Sequence, residues 1–162
     1  MHVRFARHVQ LTNCTLRATG GYAFWAEQGT YDSVLTGSLV TDVGAGGVRL
    51  GRGHVVDGLP AECERHTVSN NIISDGGFIW QEGCGVLAQN IGDTNITHNE
   101  IARFRYTGVS TGWTWGYGPT VVHDIVTSYN HIHSIGMGYL SDMGCVYTLV
   151  RVHVCPACGN SH

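Results

Sequence analysis

The sequence has little charge and little proline, and it lacks long helical patterns. Charged residues make up 13% of the 162 residues, Pro occurs three times, and the formal net charge is −3. The nine Lys and Arg residues form no basic stripe, so nucleic acid is not an expected partner. A hydrophobic share of 43% is typical of a soluble protein with a continuous core and excludes a disordered or a membrane chain.

The start of the chain lacks the features of a secretory signal peptide. The segment MHVRFARHVQLTNCTL passes directly into a strand pattern, without basic, apolar and small-residue sections. A solenoid needs a cap over its first coil, and none precedes Asn13. We therefore expect that an earlier part of the protein is missing, rather than that the protein stays inside the cell.

The six Cys residues do not follow a disulfide-rich spacing. Cys14, Cys84 and Cys145 lie within apolar strand patterns, where a buried thiol is the ordinary state of a free cysteine. We expect these three thiols to be buried.

What the chain does contain is an internal repeat rich in Gly and Asn. In each copy a short apolar run bends at an Asn or its equivalent and restarts after a Gly. The 23 Gly residues are about twice the average share. The copies begin at Asn13, Gly37, Asn70, His98 and Tyr129, the second being degenerate.

Repeats of unequal length with a constant local pattern predict stacked coils joined by loops of variable length. A β-sandwich would need regular hairpin signals and a leucine-rich repeat would need a regular Leu frame, and neither is seen. The sequence therefore predicts a parallel β-helix. Like residues would stack in ladders on successive coils, and Asn at one corner would satisfy neighbouring backbone groups.

One acidic residue near the end of the repeats is a candidate for chemistry. Aligning two coils on Gly108 and Gly136 sets Asp142 level with Thr114, so Trp113 would lie about one rung away. A carboxylate beside aromatic rings is typical of sugar-binding sites, because ring faces stack on pyranose C–H groups. Alternatively, the indole covers the core at a loop and Asp142 caps a turn.

The ordered segments DVGAGGVRLG, NNIISDGG, YTGVSTGWTWGYGPT and NHIHSIGMGYLSDMGCVYTL resemble right-handed parallel β-helix glycoside hydrolases of the α-L-fucosidase and xylanase type. The resemblance covers about residues 5–149. It implies hydrolysis of oligo- or polysaccharides by a carboxylate pair without a cofactor or metal, in an extracellular or periplasmic location. It assigns a catalytic role to Asp142 and a sugar platform to Trp113, Trp115 and Tyr117.

The chain departs from this family after the YTL segment. The resemblance implies a further coil with a second acidic element, whereas residues 150–162 are expected to form a divergent tail without structure. Residues 1–149 would form about five coils of an incomplete β-helix. Because glycoside hydrolysis needs two carboxyl groups, we expect this fragment to be inactive or weakly active alone.

Three other side chains are candidate substrate-binding groups. Glu82 lies two rungs from Asp142, about 10 Å at the backbone, which permits an inverting pair. It matches no acidic element of the family, however, so a solvated loop residue is the alternative. His131 and His133 alternate around Ile132 and would share one face of a strand on the same coil as Asp142.

We predict no metal site in the coils, because no Cys or carboxylate completes a convincing ligand set with the histidines. In the tail, Cys155 and Cys158 resemble half of a zinc knuckle, which His153 and His162 could complete. The alternative is an unstructured tail.

The sequence is compatible with two further functions. The protein could be a non-catalytic carbohydrate-binding or structural β-helix, in which the aromatic side chains bind the ligand and Asp142 only hydrogen-bonds it. It could also act only together with another chain, since an uncovered last rung exposes a sheet edge.

Overall fold

The computed structural model describes residues 1–53, 63–114 and 120–149. Regular structure in these ranges consists of 18 β-strands, which pair in parallel to form three sheets. No helix long and apolar enough to cross a membrane occurs among these residues.

The first two sheets line two sides of the solenoid. Sheet A contains β1 (His2–Val3), β4 (Phe24–Ala26), β8 (Val48–Gly51), β12 (Val86–Gln89), β15 (Val109–Gly112) and β18 (Val146–Thr148), in that spatial order. Sheet B contains β2 (Gln10–Thr12), β5 (Thr30–Tyr31), β6 (Val34–Thr36), β9 (Cys63–Glu64), β10 (Thr67–Ser69), β13 (Gly92–Thr97) and β16 (His123–Ser128).

Sheet C closes each coil. It contains β3 (Thr15–Thr19), β7 (Leu39–Val43), β11 (Ile72–Gly76), β14 (Glu100–Phe104) and β17 (His131–His133). The chain visits sheets A, B and C in turn five times, and β18 begins a sixth coil. The predicted parallel β-helix of about five coils is thus confirmed. The predicted tail, residues 150–162, lies outside the described residues.

The core consists of apolar ladders that face the inside of the coils. Alternation along a strand points every second side chain inward, and the same position in the next coil carries a similar residue. Each fully buried aliphatic or aromatic side chain stabilises the fold by about 1.5–3 kcal/mol. The inward ladders are Phe24, Val48, Val86 and Val109 in sheet A, Leu35, Val68 and Ile96 in sheet B, and Val40, Ile73 and Ile101 in sheet C.

The corner between sheets B and C carries the predicted Asn ladder. The Nδ2 group of Asn71 donates to Asn99 Oδ1 at 2.9 Å, and the Nδ2 group of Asn99 donates to Asn130 Oδ1 at 3.0 Å. Ser38 and Cys14 continue the ladder through backbone N–H groups, since Ser38 N donates to Asn71 Oδ1 and Cys14 N donates to Ser38 Oγ. The ladder therefore satisfies backbone donors in every coil.

The residue before each ladder position has a left-handed backbone. These residues share φ values between 53° and 59°. Asn adopts this conformation more readily than most residues, and Gly adopts it without a Cβ clash. They are the starting residues of the repeats noted in the sequence, Asn13, Gly37, Asn70, His98 and Tyr129.

The expectation of three buried thiols is only partly confirmed. Cys84 is buried, Cys14 is half-buried and Cys145 is exposed. Cys145 comes just before β18, at the position that Gly85 and Gly108 occupy in the two preceding coils. Since β18 is the last strand of sheet A in the described part of the chain, no described rung covers this thiol.

Candidate functional site

On the outer face of sheet A, one aligned position carries a different residue type on each described rung. Strand register aligns one outward position along the whole sheet. Unlike the inner ladders, this row is not made of similar residues, and it combines aromatic, basic, apolar and hydroxyl groups. Its members are His2, Trp25, Arg49, Leu87, Ser110 and Tyr147.

The loops from sheet C to sheet A differ in length and build up one end of this face. Residues 20–23, 44–47 and 105–108 are short connections, whereas 77–85 and 134–145 are long loops. Arg105 lies between the two long loops, with its guanidinium carbon 5.5 Å from the Phe78 ring centre and 4.3 Å from the Tyr139 ring centre. These cation–π contacts hold the two loops against the same short connection.

A cavity of about 390 Å³ opens where the first long loop meets the outer face of sheet A. Ligand-binding clefts in proteins have volumes of about 300–1,000 Å³, so this one is large enough for a small ligand or one sugar unit. It is lined by Gly21, Tyr22, Trp25, Ala45, Arg49, Trp80, Glu82 and Gly83.

Trp25 and Arg49 form a stacked pair in this cavity. The Arg49 guanidinium carbon lies 4.2 Å from the Trp25 ring centre, and Arg49 Nε donates to Gln89 Oε1 at 3.1 Å. The Trp25 indole is fixed in turn by its Nε1 group, which donates to Gly51 O at 2.9 Å, and by stacking on His2 at 4.1 Å. The indole and the guanidinium are therefore rigidly placed.

Tyr22 forms the inner wall of the cavity. Its ring crosses over Gly46, where a Cβ atom would overlap the ring, and its hydroxyl oxygen accepts a hydrogen bond from Cys84 N at 3.3 Å. Burial, together with the Cys84 thiol, raises the pKa of Tyr22 well above its ordinary value. Tyr22 therefore stays neutral and acts as a wall and a hydrogen-bonding group.

Glu82 lies on the loop 77–85, exposed at the mouth of the cavity. The structure thus places this candidate beside Trp25 and Trp80, two indoles that were not among the residues predicted from sequence. Its substrate-binding role stays a prediction.

Asp142 lies on the second long loop, exposed and with a left-handed backbone. The Tyr147 hydroxyl donates to Asp142 Oδ2 at 3.4 Å, and the Tyr106 hydroxyl donates to Asp142 O at 3.0 Å. Tyr147 belongs to the outward row of sheet A, so Asp142 sits at the edge of the face that carries the cavity. Its catalytic role stays a prediction.

The alignment that set Asp142 level with Thr114 is wrong. Val109 pairs with Val146, so the residue level with Gly108 is Cys145 and not Gly136. Gly136 lies near the start of the long loop, where its N–H donates to Phe104 O. Extra loop residues separate it from β18, and Asp142 therefore precedes its strand, whereas Thr114 follows β15.

The predicted aromatic platform is described only in part. Trp113 is half-buried just after β15, and its Nε1 group donates to Ser110 Oγ at 2.9 Å. Ser110 pairs with Tyr147, the residue that contacts Asp142, so Trp113 is connected to Asp142 through these two side chains. Trp115 and Tyr117 lie outside the described residues.

His131 and His133 share one face of β17, as predicted, with ring centres 4.6 Å apart. His133 Nε2 lies 3.4 Å from Glu100 Oε1. Both histidines belong to sheet C, whereas Trp25 and Arg49 belong to sheet A. The structure therefore places them on a different side of the solenoid from the cavity, and their predicted sugar-binding role is not supported by proximity to it.

A group of potential metal ligands that the sequence analysis did not identify lies beside sheet B. Asp93, His123 and Asp124 each offer one ligand atom, all within 4.8 Å of one another, and all three are exposed. His123 also lies 3.5 Å from Glu64. Burial lowers the pKa of His123, but the hydrogen bond to Asp124 and the charges of Asp93 and Glu64 outweigh it and raise that pKa. His123 thus pairs with three carboxylates on this surface.

Comparison with known proteins identifies the fold. The model of a protein family described as "Right handed beta helix region" matches residues 2–152. The chain belongs to the right-handed β-helix family. No curated protein matches it.

A solved structure described as "Glycoside hydrolase" is similar to this β-helix, with a TM-score of 0.79 and 24% sequence identity. The similarity covers 91% of this chain and 26% of that protein, so the β-helix chain spans about a quarter of its length. Identity at this level supports the shared fold alone.

Four large side chains that line the cavity were not predicted as site residues from the sequence: Tyr22, Trp25, Arg49 and Trp80. A signal for two of them was present, because the repeat copies NCTLRATGGYAFW and NNIISDGGFIWQEGCGVL each contain a Trp after the Gly-rich bend. Aligning the copies on the strand that follows the bend, instead of on the bend, would have directed attention to sheet A.

Proposed function

We propose that the cavity on sheet A binds a polysaccharide and that the protein acts on it as a glycoside hydrolase, with weak activity in this chain alone. The observation that carries this proposal is the cavity itself, which combines the indoles of Trp25 and Trp80 with the charged groups of Arg49 and Glu82. Aromatic faces bind the apolar side of a pyranose, and charged groups at the rim bind its hydroxyls. The similarity to a glycoside hydrolase fold agrees with this use of the surface.

Glu82 and Asp142 are the proposed acid pair. They lie on the two long loops, two coils apart, which corresponds to about 10 Å along the solenoid axis. Arg105 draws both loops to one connection through Phe78 and Tyr139. Carboxyl groups of inverting enzymes lie about 6.5–9.5 Å apart, so modest side-chain reach brings the pair into that range.

In the proposed reaction one carboxylic acid protonates the leaving glycosidic oxygen while the other carboxylate activates a water molecule on the opposite face of the sugar. The protein needs no metal for these steps. Fucosylated glycans and xylans are the first substrates to test, and we propose an extracellular or periplasmic location, where such polymers occur.

A second candidate function is carbohydrate binding without hydrolysis. The observation that favours it is that Glu82 lines the cavity whereas Asp142 lies at the edge of the same face and contacts Tyr147. A ligand held by the two indoles would then meet only one carboxylate.

The test measures glycan binding and the release of reducing ends in parallel, on fucosylated glycans and on xylan. We expect Asp142→Asn and Glu82→Gln to reduce hydrolysis by about 10²-fold or more while binding is retained, which is the usual contribution of a general acid or base. Trp80→Ala should weaken binding about tenfold or more through lost stacking, because Trp80 is the exposed indole of the cavity, whereas His2 and Arg49 cover the two faces of Trp25. Asp42→Asn is the matched control, because Asp42 is exposed on sheet C and has the same left-handed backbone as Asp142.

Binding without product release in the wild-type protein would support the second candidate. Full hydrolysis by both acid variants would reject the acid pair. Unchanged binding by the Trp80→Ala variant would reject the cavity as the glycan site.

A further inference from the structure

Arg49 is a half-buried cation without a counter-ion. It lies on β8 between the buried residues Val48 and Leu50 and points to the outer face of sheet A, where it lines the cavity. Within residues 1–53, 63–114 and 120–149, Arg49 forms no ion pair with a carboxylate. The guanidinium gains a stacking contact and one hydrogen bond but no opposite charge among these residues, so a bound anion is the partner that would complete its surroundings.

The nearby acidic groups are engaged elsewhere or remain in solvent. Glu27 pairs with His2 at 2.7 Å and with Arg4 at 3.4 Å. Glu82 shares the cavity but is exposed at its mouth. Burial lowers the pKa of Arg49, and the Coulombic effects of Tyr22 and Glu27 offset this lowering only in part.

The guanidinium is also held in one orientation. Nε donates to Gln89 Oε1, and the guanidinium plane is stacked near the Trp25 ring at 4.2 Å. The two terminal Nη groups have no hydrogen-bond partner among the described residues, and they form the fork that binds planar anions with two parallel hydrogen bonds.

The remaining walls fit a sugar ring better than a free ion. The indoles of Trp25 and Trp80 line the same 390 Å³ space, and Tyr22 presents a buried, neutral hydroxyl. A small inorganic anion would fill only the part next to Arg49. A pyranose with an acidic substituent would place its ring against the exposed indole of Trp80 and its anion on the guanidinium of Arg49.

We propose that Arg49 is the specificity residue for an acidic sugar, so that the glycan bound in this cavity carries a carboxylate or sulfate group. This inference rests on the proposed glycan-binding function and narrows its ligand class. A uronic acid and a sulfated sugar offer the same chemistry to the guanidinium, and the experiment below separates them.

The test uses the full chain at about 0.15 M salt, where exposed charges more than about 8 Å apart are screened. Affinities are measured for oligogalacturonic acid, for its methyl ester, for neutral galactose oligomers and for sulfated galactose oligomers. The methyl ester keeps the ring and removes the charge. The protein variants are Arg49→Met, Arg49→Lys and Arg17→Met, the last being a control because Arg17 is exposed on sheet C.

We expect the wild-type protein to bind one of the two anionic oligomers at least tenfold more tightly than the neutral ones. Arg49→Met should remove this preference, and it should weaken the binding of the anionic oligomers far more than that of the neutral ones. Arg49→Lys should keep only part of the preference, because it retains the charge but not the fork. Arg17→Met should change nothing. Preference for the carboxylate or for the sulfate oligomer identifies the anion.

Three outcomes would overturn the inference. If neutral oligomers bind as tightly as anionic ones, glycan binding stands but the acidic specificity does not. If Arg49→Met and Arg17→Met weaken anion binding equally, the preference comes from general surface charge. If no oligomer binds, the acidic-sugar inference fails, and the proposed glycan site is then judged separately by its own test on fucosylated glycans and xylan. Thermal unfolding of each variant verifies that it is folded.

Discussion

Two aligned rows of side chains run along this β-helix, and only one of them repeats the same residue type. The corner ladder between sheets B and C repeats one side chain, Asn, in three successive coils and links them through amide hydrogen bonds of 2.9–3.0 Å. The outward row of sheet A has the same strict register but changes its chemistry at each rung, for example from Trp25 to Arg49 to Leu87.

The difference follows from what each ladder contacts. The Asn side chains bond to the backbone, which is the same in every coil, so the same amide fits at every level. The sheet A row faces outward, where no backbone requirement fixes the side chain. In a solenoid, repeated identity therefore marks structural demand, and a variable row with fixed register marks a surface free to acquire function.

The largest expected effect comes from breaking the corner ladder at its centre. In Asn99→Ala, Val68 O loses its side-chain donor and Asn71 N loses its acceptor. Asn130 Oδ1 and Asn71 Nδ2 each lose one of two hydrogen bonds, since the Asn99 N–H and Leu35 O remain as partners. These groups are buried or half-buried, so we expect a loss of about 3 kcal/mol in the free energy of unfolding. Chemical denaturation measures it.

The control for this change is Asn95→Ala, because Asn95 is an exposed Asn on the adjacent strand β13. It should alter the free energy of unfolding by less than about 0.5 kcal/mol. Equal losses in the two variants would show that the Asn ladder is not what holds the coils together.

A change of about 2 kcal/mol is expected where the cavity meets the core. The Cβ atom of Gly46→Ala would overlap the Cys84 carbonyl oxygen and the Tyr22 ring, so the wall of the cavity must move. We expect both a lower melting temperature and weaker glycan binding. Differential scanning calorimetry and a binding titration measure the two effects.

Gly20→Ala provides the matched control, since a Cβ atom at Gly20 would contact nothing within 4 Å. It should leave melting temperature and binding unchanged. If Gly46→Ala lowered stability but left glycan binding intact, Tyr22 would not be part of the binding surface.

The sequence predicted the corner ladder much better than the variable row. Asn71 and Asn99 report a backbone requirement that repeats locally, and left-handed positions such as Asn70 and Gly37 mark each bend. The cavity depends on the long loops, whose extra residues shift the alignment, as at Gly136. Where a loop side chain points is decided by contacts between coils that no local pattern encodes.

An effect of about 1 kcal/mol is expected for an ion pair on sheet C. Hydrogen bonds from Arg103 at 2.6 and 2.8 Å, with a smaller contribution from Ser74, lower the pKa of Asp75 to about 2. Asp75→Asn should therefore destabilise the protein by about 1 kcal/mol at neutral pH, a value reduced by the exposure of both groups. Like the Asn ladder, the Asp75–Arg103 ion pair joins two neighbouring coils, but its side chains are more exposed than the Asn side chains.

The lowered pKa of Asp75 determines how the contribution of this ion pair to the free energy of unfolding changes with pH. The pKa of Asp75 is lower in the folded protein, so its contribution is present above about pH 4 and disappears as the pH falls towards about 2. Denaturation curves at pH 7 and pH 2 measure the change. Asp32→Asn serves as the comparison, because Asp32 forms a similar ion pair with Arg65, at 2.7 Å, on the surface beside sheet B. A constant Asp75→Asn deficit at all pH values would contradict the assignment.

The smallest effect on stability is expected at the edge of the variable row. Asp142 is exposed and accepts only a 3.4 Å hydrogen bond on its carboxylate from Tyr147, and Asn tolerates the same left-handed backbone. Asp142→Asn should therefore change the free energy of unfolding by less than about 0.5 kcal/mol, even if it abolishes hydrolysis. Denaturation of this variant beside Asn99→Ala tests the contrast between the ladders directly. A loss at Asp142 comparable to that at Asn99 would mean that the variable row also holds the fold, and its variation would then need another explanation.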